Sequence, residues 1–258
     1  MTWAGKRQLI IALVVAVAIG GAAFAYIYPK VNVAPTCSDM KQNGTETGVD
    51  CGGICARACV AEVIPPTVLW TRAFKIADSV YTAAASVENR NDVANAAIPY
   101  EFRLYDTKGI FVARQSGTVL LPPSGRYTIV ETGIQTGNAV VGRAIVTFGT
   151  PKYAWQKIDP AIQKLRVSTS QISLDTDGVI PRLFVTLGNP SPTVTLRNIS
   201  VAAVLYDQNG NAVTASKTFV SSISAEGKEN IVFTWPKAFS TPIVRWEITP
   251  IIDVFATK

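Results

Sequence analysis

The tripeptide Leu-Tyr-Asp occurs twice in this chain, at residues 104–106 and again at residues 205–207, and each time a glycine follows three residues after the aspartate. Asn89 and Asn189 keep nearly the same offset of about one hundred positions. A repeat of that length indicates two tandem domains, because the units of solenoid proteins span only about 20–50 residues. The 258 residues leave room for two such domains, each with its own core.

Both copies of the repeat show the pattern of a β-sandwich. From Val68 onward, short runs rich in β-branched and aromatic residues alternate with Gly, Pro, Asn and Asp. We therefore predict an all-β chain with two tandem immunoglobulin-like β-sandwiches, over residues 68–150 and 160–258, and without an amphipathic helix in either. The predicted strands are 69–76, 81–87, 98–105, 110–115, 126–132 and 140–148 in the first domain, and 164–168, 182–187, 199–206, 212–218, 229–235, 244–248 and 251–255 in the second.

The repeated aspartates are predicted to open tight turns. Asp106 and Asp207 hold the first position of a four-residue turn, where a carboxylate can accept turn amides. Gly109 and Gly210 hold the fourth position, where a left-handed backbone costs little for glycine. This structural role explains both aspartates, so we favour it over a role as catalytic acids.

The first copy also carries a family resemblance. Residues 102–106 read F-x-L-Y-D, and the module resembles the FxLYD family of immunoglobulin-like β-sandwich domains found in exported prokaryotic proteins. The second copy has Ala203 where the phenylalanine would be. The resemblance implies the architecture and no catalytic residues, since that family has no established activity.

The amino-terminal residues predict export. Residues 9–28 are a run of twenty without a charge, and a helix of that length matches the roughly 30 Å core of a bilayer. Lys6 and Arg7 lie just before this run, so the positive-inside rule places residues 1–8 in the cytoplasm and everything after Pro29 outside. We predict a single-pass signal anchor that contacts the lipid bilayer through residues 9–28.

A cleaved signal peptide is the alternative to the anchor. Residues 23–25 read Ala-Phe-Ala and could be a cleavage site, which would give secretion after cleavage near Ala25. We favour the anchor because the apolar run continues to Tyr28 without a polar region. Both interpretations export the remainder of the chain.

All four cysteines lie within residues 37–59, with the spacing C-x13-C-x3-C-x3-C, followed by a Pro65-Pro66 linker over residues 60–67. An even, tight cluster in an exported chain favours two disulfides that close a small knob. Three pairings are open. A zinc site is less favoured, because zinc thiolates usually come as two close pairs. The four residues are Cys37, Cys51, Cys55 and Cys59.

Oxygen-bearing side chains between these cysteines raise the question of calcium. Asp39, Asn43, Glu46 and Asp50 are interleaved with glycines, and calcium takes several oxygen ligands from such loops. The spacing does not match an EF-hand, and polar turn residues are the alternative. With its C-x13-C-G-G-x-C spacing, the segment resembles a short Cys-rich acidic motif of exported bacterial surface proteins.

Several kinds of chemistry are disfavoured by the composition. The chain has no histidine, which removes the commonest general base and the Ser-His and Cys-His dyads. The net charge of +6 is dispersed, with no run of Lys or Arg longer than two, so we expect no nucleic-acid partner. We also expect no catalytic residues and no cofactor other than calcium. Four tryptophans could form a sugar-binding platform, but packing is the favoured role for Trp70, Trp155, Trp235 and Trp246.

Together these features predict a non-enzymatic, membrane-anchored envelope protein. Its role would be that of a binding or spacer module that presents two immunoglobulin-like domains to protein partners in the envelope. The alternative is a structural subunit of a larger surface complex, assembled through exposed sandwich edges.

Overall fold

The computed structural model describes residues 3–31, 36–151, 154–178 and 180–257. The chain divides into two compact units, Met1–Cys55 and Ala56–Lys258. The first contains one long helix and most of the cysteine-rich segment, and the second contains every β-strand found among the described residues. The prediction of an all-β fold is confirmed.

Helix α1 spans Trp3–Val31 in the first unit. Within it, Gly5–Tyr28 has a mean hydropathy of 2.5 and is long enough to cross a membrane. The predicted span 9–28 therefore lies inside a continuous helix. Its length and composition fit a membrane anchor and a signal sequence alike.

The second unit holds two modules with the same strand order. The first module consists of β1 (Thr67–Ala77), β2 (Val80–Asn89), β3 (Val93–Asp106), β4 (Phe111–Leu121), β5 (Gly125–Gln135) and β6 (Val141–Phe148). A short strand β7 (Gln156–Lys157) and a one-turn helix α2 (Pro160–Gln163) connect it to the next. The second module consists of β8 (Ser168–Asp175), β9 (Arg182–Gly188), β10 (Leu196–Tyr206), β11 (Ala212–Ile223), β12 (Lys228–Thr234) and β13 (Arg245–Ile251).

Each module is a sandwich of two antiparallel sheets. The first module pairs its strands in the orders β1-β2-β5 and β4-β3-β6, and β7 extends the second sheet by pairing with the start of β3. The second module repeats this arrangement as β8-β9-β12 and β11-β10-β13. Strands β1–β6 therefore correspond in order and pairing to β8–β13, as the internal repeat in the sequence implies.

Alternation along the strands fills a separate core in each module. In β3, Tyr100, Phe102 and Leu104 point inward and pack against the opposite sheet. In β10, Val201, Ala203 and Leu205 do the same. This period of two is the geometric signature of a half-buried strand, and it is the pattern on which the prediction of sandwiches depends.

The two modules also pack against each other, sheet face on sheet face. A third apolar cluster joins Phe74, Ala84 and Val130 of the first module to the outward-facing residues of the second. As a result, β2 and β10 are buried on both faces over most of their lengths. The residues that the second module contributes are Ala202, Val204, Tyr206 and Ala215.

Two predicted strands are wrong for local reasons. Residues 164–168 follow α2, which Asp159 caps by accepting the backbone N–H of Ala161 at 2.7 Å, with Pro160 in the first helical position. The strand begins only at Ser168 and runs to Asp175. Residues 251–255 form a turn after Ile251, because the Asp253 carboxylate accepts the N–H groups of Phe255 and Ala256.

The predicted linker 60–67 is partly structured. Residues 60–62 form a short 3-10 turn, and the backbone of Ile64 makes two hydrogen bonds with the Asn91 side chain, at 2.8 and 2.7 Å. The N–H of Ala58 donates to the carbonyl of Trp155 at 2.9 Å. Residues 56–64 are thus attached to the first module and do not form a free connector.

Candidate functional site

Both Leu-Tyr-Asp copies end in the predicted turn. Asp106 Oδ1 accepts the N–H groups of Lys108 and Ile110, each at 2.8 Å, and Gly109 has a φ of 82°. Asp207 Oδ1 accepts the equivalent N–H groups at 2.9 and 2.8 Å, and Gly210 has a φ of 76°. Both carboxylates thus accept hydrogen bonds from the backbone of their own turn. The bond from the Asn211 N–H is the largest cause of the lowered pKa of Asp207.

The repeated tyrosine has a partner that the sequence analysis missed. The Arg143 guanidinium lies 5.1 Å from the ring centre of Tyr105, and that of Arg245 lies 3.7 Å from the ring centre of Tyr206. Each arginine lies directly opposite its tyrosine on the neighbouring strand, and a cation over an aromatic face is attracted by the ring. The two arginines are separated by nearly the same number of residues as the two tyrosines. The recurring Tyr and Arg positions could therefore have been recognised in the sequence.

The outer face of sheet β4-β3-β6 is rich in arginine. Arg103 and Arg114 lie directly opposite each other on β3 and β4, and their side chains are 51% and 72% exposed. Glu101 is shared between them, at 2.5 Å from Arg103 Nε and 4.0 Å from Arg114. We call this surface the arginine face and define it as Glu101, Arg103, Tyr105, Phe111, Arg114 and Arg143.

Charge pairing on this face favours the ionised forms of Glu101 and Arg103. The hydrogen bond from Arg103 is the largest cause of the lowered pKa of Glu101, and the same bond raises the pKa of Arg103. A single carboxylate faces three guanidinium groups, so the face keeps a net positive charge. Such a surface suits a ligand that supplies further carboxylates.

The equivalent positions in the second module are apolar. Ala202, Val204 and Ala215 stand where the first module has Glu101, Arg103 and Arg114, as the matching strand registers show. All three are buried against the first module. The same face of the fold is therefore apolar where it is covered and charged where it is exposed.

A polar contact accompanies the apolar interface between the modules. Tyr100 Oη donates to Glu131, and Glu131 Oε2 lies 3.1 Å from Lys217 Nζ of the second module. Burial, together with the Glu131 carboxylate, raises the pKa of Tyr100 above its ordinary range. Gly117 leaves space for this group, because a Cβ there would lie 2.5 Å from Tyr100 Oη.

The two asparagines of the repeat are buried at equivalent positions. The Asn89 side chain donates to the carbonyls of Val93 and Pro122, at 3.0 and 2.8 Å. The Asn189 side chain donates to three carbonyls, of Val194, Ile223 and Ser224, at 2.8–3.0 Å. Each asparagine thus fastens the end of one strand to a loop at the same end of its module.

All four cysteines are disulfide-bonded. Cys37 is bonded to Cys55, and Cys51 and Cys59 are in disulfide linkage as well. The disulfide prediction is confirmed, and the three pairings left open by the sequence are reduced to one. The zinc alternative is wrong, because oxidised cysteines offer no thiolate ligands.

Hydrogen bonds connect the four residues considered for calcium. Asp50 accepts the N–H groups of Asp39 and Met40 at 2.9 and 3.0 Å. Asp39 Oδ2 accepts the Asn43 amide at 2.8 Å, which is the largest cause of the lowered pKa of Asp39. Glu46 Oε2 accepts the Asn43 N–H at 3.2 Å. These bonds are those of polar turn residues and need no cation.

The four tryptophans considered for a sugar-binding platform pack inside the fold. Trp155 and Trp235 are 6% and 4% exposed and belong to the cores of the first and second modules. Trp246 packs against the second core, and Trp70 packs against the cluster between the modules. They do not form a shared platform for sugar stacking.

Comparisons with known proteins add little. No family model matches the chain, and no curated protein matches it. Among solved structures, the crystal structure of red sea bream transglutaminase is similar over 75% of this chain and 30% of that chain, at 12% identity and a TM-score of 0.24. The chain thus spans less than a third of that structure, and a likeness at this level says nothing about activity.

Proposed function

We propose that this chain is a non-enzymatic protein of the cell envelope that is anchored by residues 9–28 and presents two immunoglobulin-like modules outside the membrane. Its role is that of a binding or spacer module. The observation that carries the proposal is the packed interface between the modules, centred on Ala84, Val130 and Val204. Such packing fixes the mutual orientation of the outer sheet faces, which suits presentation to a partner.

Further observations support export and a non-enzymatic role. Disulfides such as Cys37–Cys55 form and persist in oxidising compartments. The chain has no histidine, and the repeated aspartates are engaged in turns. The F-x-L-Y-D resemblance agrees with this role, since it implies exported β-sandwich modules.

Protease accessibility in intact cells tests the proposal. The full chain would carry one epitope tag at each end, and protease would be added outside before and after permeabilisation. We expect the carboxy-terminal tag to be digested in intact cells and the amino-terminal tag to be protected until permeabilisation. Protection of the carboxy-terminal tag would contradict the proposal. Loss of the amino-terminal tag from mature protein released into the medium would show that the helix is a cleaved signal sequence.

Size-exclusion chromatography separates a lone binding protein from the structural-subunit alternative. Full-length protein extracted in mild detergent would elute as a monomer if the chain acts as a binding or spacer module. A discrete large assembly that survives extraction would favour the subunit. An exposed edge strand such as β8 is the kind of surface through which such an assembly would form.

Calcium binding by the cysteine-rich segment stays a prediction. Asn43 Oδ1 is buried and has no hydrogen-bond partner among the residues that the structure describes, which makes it a suitable ligand atom. Titration calorimetry with Ca²⁺ tests it, with Asp39→Asn/Asp50→Asn as the comparison. Heat of binding that the double variant loses supports a site, and its absence from the unaltered protein rejects one.

A further inference from the structure

The arginine face is electrostatically incomplete within the chain. Arg103 and Arg114 are directly opposed across two strands, and like charges in that relation destabilise a sheet. Glu101 serves both. Among the described residues, Arg143 contacts the Tyr105 ring and has no carboxylate within ion-pair distance. Three guanidinium groups against one carboxylate leave a net charge of +2.

The second module shows how this differs from a balanced face. There Arg245 stacks on Tyr206 and lies 3.9 Å from Glu247, while Tyr206 Oη donates to the same carboxylate at 2.9 Å. Lys217 is paired with Glu131 of the first module. Both of these cations therefore have a carboxylate partner. The arginine face lacks such partners for two of its charges.

The residue types on the arginine face are those of protein interfaces. Arginine and aromatic residues are enriched where proteins bind each other. Phe111 is 52% exposed and makes an edge contact with Tyr105, with ring centres 6.1 Å apart. Ile145 lies beside Arg103 and is 39% exposed. The face thus offers apolar area between its charges.

Charge complementarity selects the class of occupant. A second copy of this chain is disfavoured, since the chain carries a net charge of +6. The exposed outer face of the second module, on β8-β9-β12, presents Phe184 and Val232, with Asp175 opposite Arg182. It supplies no excess of carboxylates. The occupant must come from a different molecule that is acidic.

We propose that the arginine face binds an acidic segment of another protein, whose carboxylates pair with Arg103, Arg114 and Arg143 while an apolar side chain packs on Phe111. The planar guanidinium fork favours carboxylates held in two-point contact. This inference rests on the proposed binding role, but it does not depend on which side of the membrane the modules occupy.

Binding of poly-L-glutamate to detergent-solubilised full-length protein tests the inference. The test variant is Arg103→Gln/Arg114→Gln. The matched control is Arg90→Gln/Arg126→Gln, because these two exposed arginines also share one glutamate, Glu88, at 2.8 and 3.2 Å. We expect the test variant to bind about tenfold more weakly and the control within about twofold of the unaltered protein, as fluorescence anisotropy would show.

Three results would overturn the proposal. Equal losses in both variants would mean that only net charge matters, and no loss in either would mean that the face is not the site. A larger loss with polygalacturonate or with anionic phospholipid vesicles than with polyglutamate would assign the face to another class of ligand. An Arg103→Lys/Arg114→Lys variant should bind with intermediate affinity, because it keeps the charge and loses the planar guanidinium fork. Circular dichroism checks that each variant is folded.

Discussion

The paired glycines of the C-G-G-x-C motif are required by backbone geometry. Gly52 and Gly53 have φ angles of 74° and 54°, in the left-handed region that favours glycine. A Cβ on Gly53 would lie 1.8 Å from the carbonyl oxygen of Thr45, a distance at which backbone must move. The motif is therefore a close contact between two stretches of one loop, whether or not the loop binds calcium.

Replacing Gly53 with alanine should prevent the cysteine-rich loop from closing. We expect Gly53→Ala protein to form little of the native Cys37–Cys55 bond, as peptide mapping under non-reducing conditions would show. Ile54→Ala is the control, since that side chain is 76% exposed and its removal disturbs no contact of this kind. A native yield of the bond in the glycine variant would show that the loop relaxes more easily than the geometry indicates.

The buried asparagine of the second module should be costly to remove. In Asn189→Ala, the carbonyls of Val194, Ile223 and Ser224 lose the side-chain amide that donates to them, and this amide belongs to a residue that is only 3% exposed. We expect a loss of about 3 kcal/mol in the free energy of unfolding, measured by urea titration of tryptophan fluorescence. Asn209→Ala, at an exposed turn position, should change it by less than about 0.5 kcal/mol. Equal effects of the two substitutions would argue against the fastening role.

At the scale of elements, the turn after β10 should make stability depend on pH. Because hydrogen bonds lower the pKa of Asp207 in the folded chain below its ordinary value of 3.8, the charged form is favoured by folding. The stability it contributes is fully present above pH 3.8 and is lost as the pH falls through the folded pKa. The difference in unfolding free energy between the unaltered protein and Asp207→Ala should therefore shrink in acid. A difference that is constant between pH 7 and about pH 3 would contradict this.

Much of the fold could be predicted because strand alternation and turn chemistry are local. The Asp-to-Gly turns, the inward period of two in β3 and β10 and the disulfides all follow from neighbouring residues. Strand β8 was misplaced because Ser168–Asp175 is polar and mostly exposed, so it lacks a clear apolar alternation. The turn at Asp253 depends on a side chain that competes with the sheet for backbone N–H groups.

The arginine face could not be predicted in the same way. Arg143 lies far from Arg103 and Arg114 in the sequence, and the exact registers of β4, β3 and β6 decide which of these side chains share a face. Charge counted along the chain shows only a dispersed excess. The interface between modules was missed for a related reason: the alanine run 83–85 shows no alternation, because β2 is covered on both faces.

At the scale of the whole second unit, one position distinguishes the covered face from the exposed one. Val204 is 1% exposed in the interface, and Arg103 is its equivalent on the arginine face. A Val204→Arg substitution would bury an unpaired charge between the sheets, which costs several kcal/mol unless the modules separate. We expect the modules to part, with a larger radius of gyration in small-angle X-ray scattering and separate unfolding transitions.

The reciprocal change provides the control. Arg103→Val alters an exposed position of the first module, so we expect an unchanged scattering profile and unfolding of the two modules in one transition. If Val204→Arg also leaves them unchanged, the contact between the modules is weaker than its apolar packing indicates.

The modules meet through different sheets, β1-β2-β5 of one and β11-β10-β13 of the other. A pair joined in this way has no twofold axis. The outer face that stays exposed is on β4-β3-β6 in the first module and on β8-β9-β12 in the second. A symmetric pair would instead bury the same surface on both modules, and no further module could be added through that surface. A further module could therefore be added at either end, and at the arginine face this would require small apolar residues such as Ala202 and Val204 in place of the charged ones.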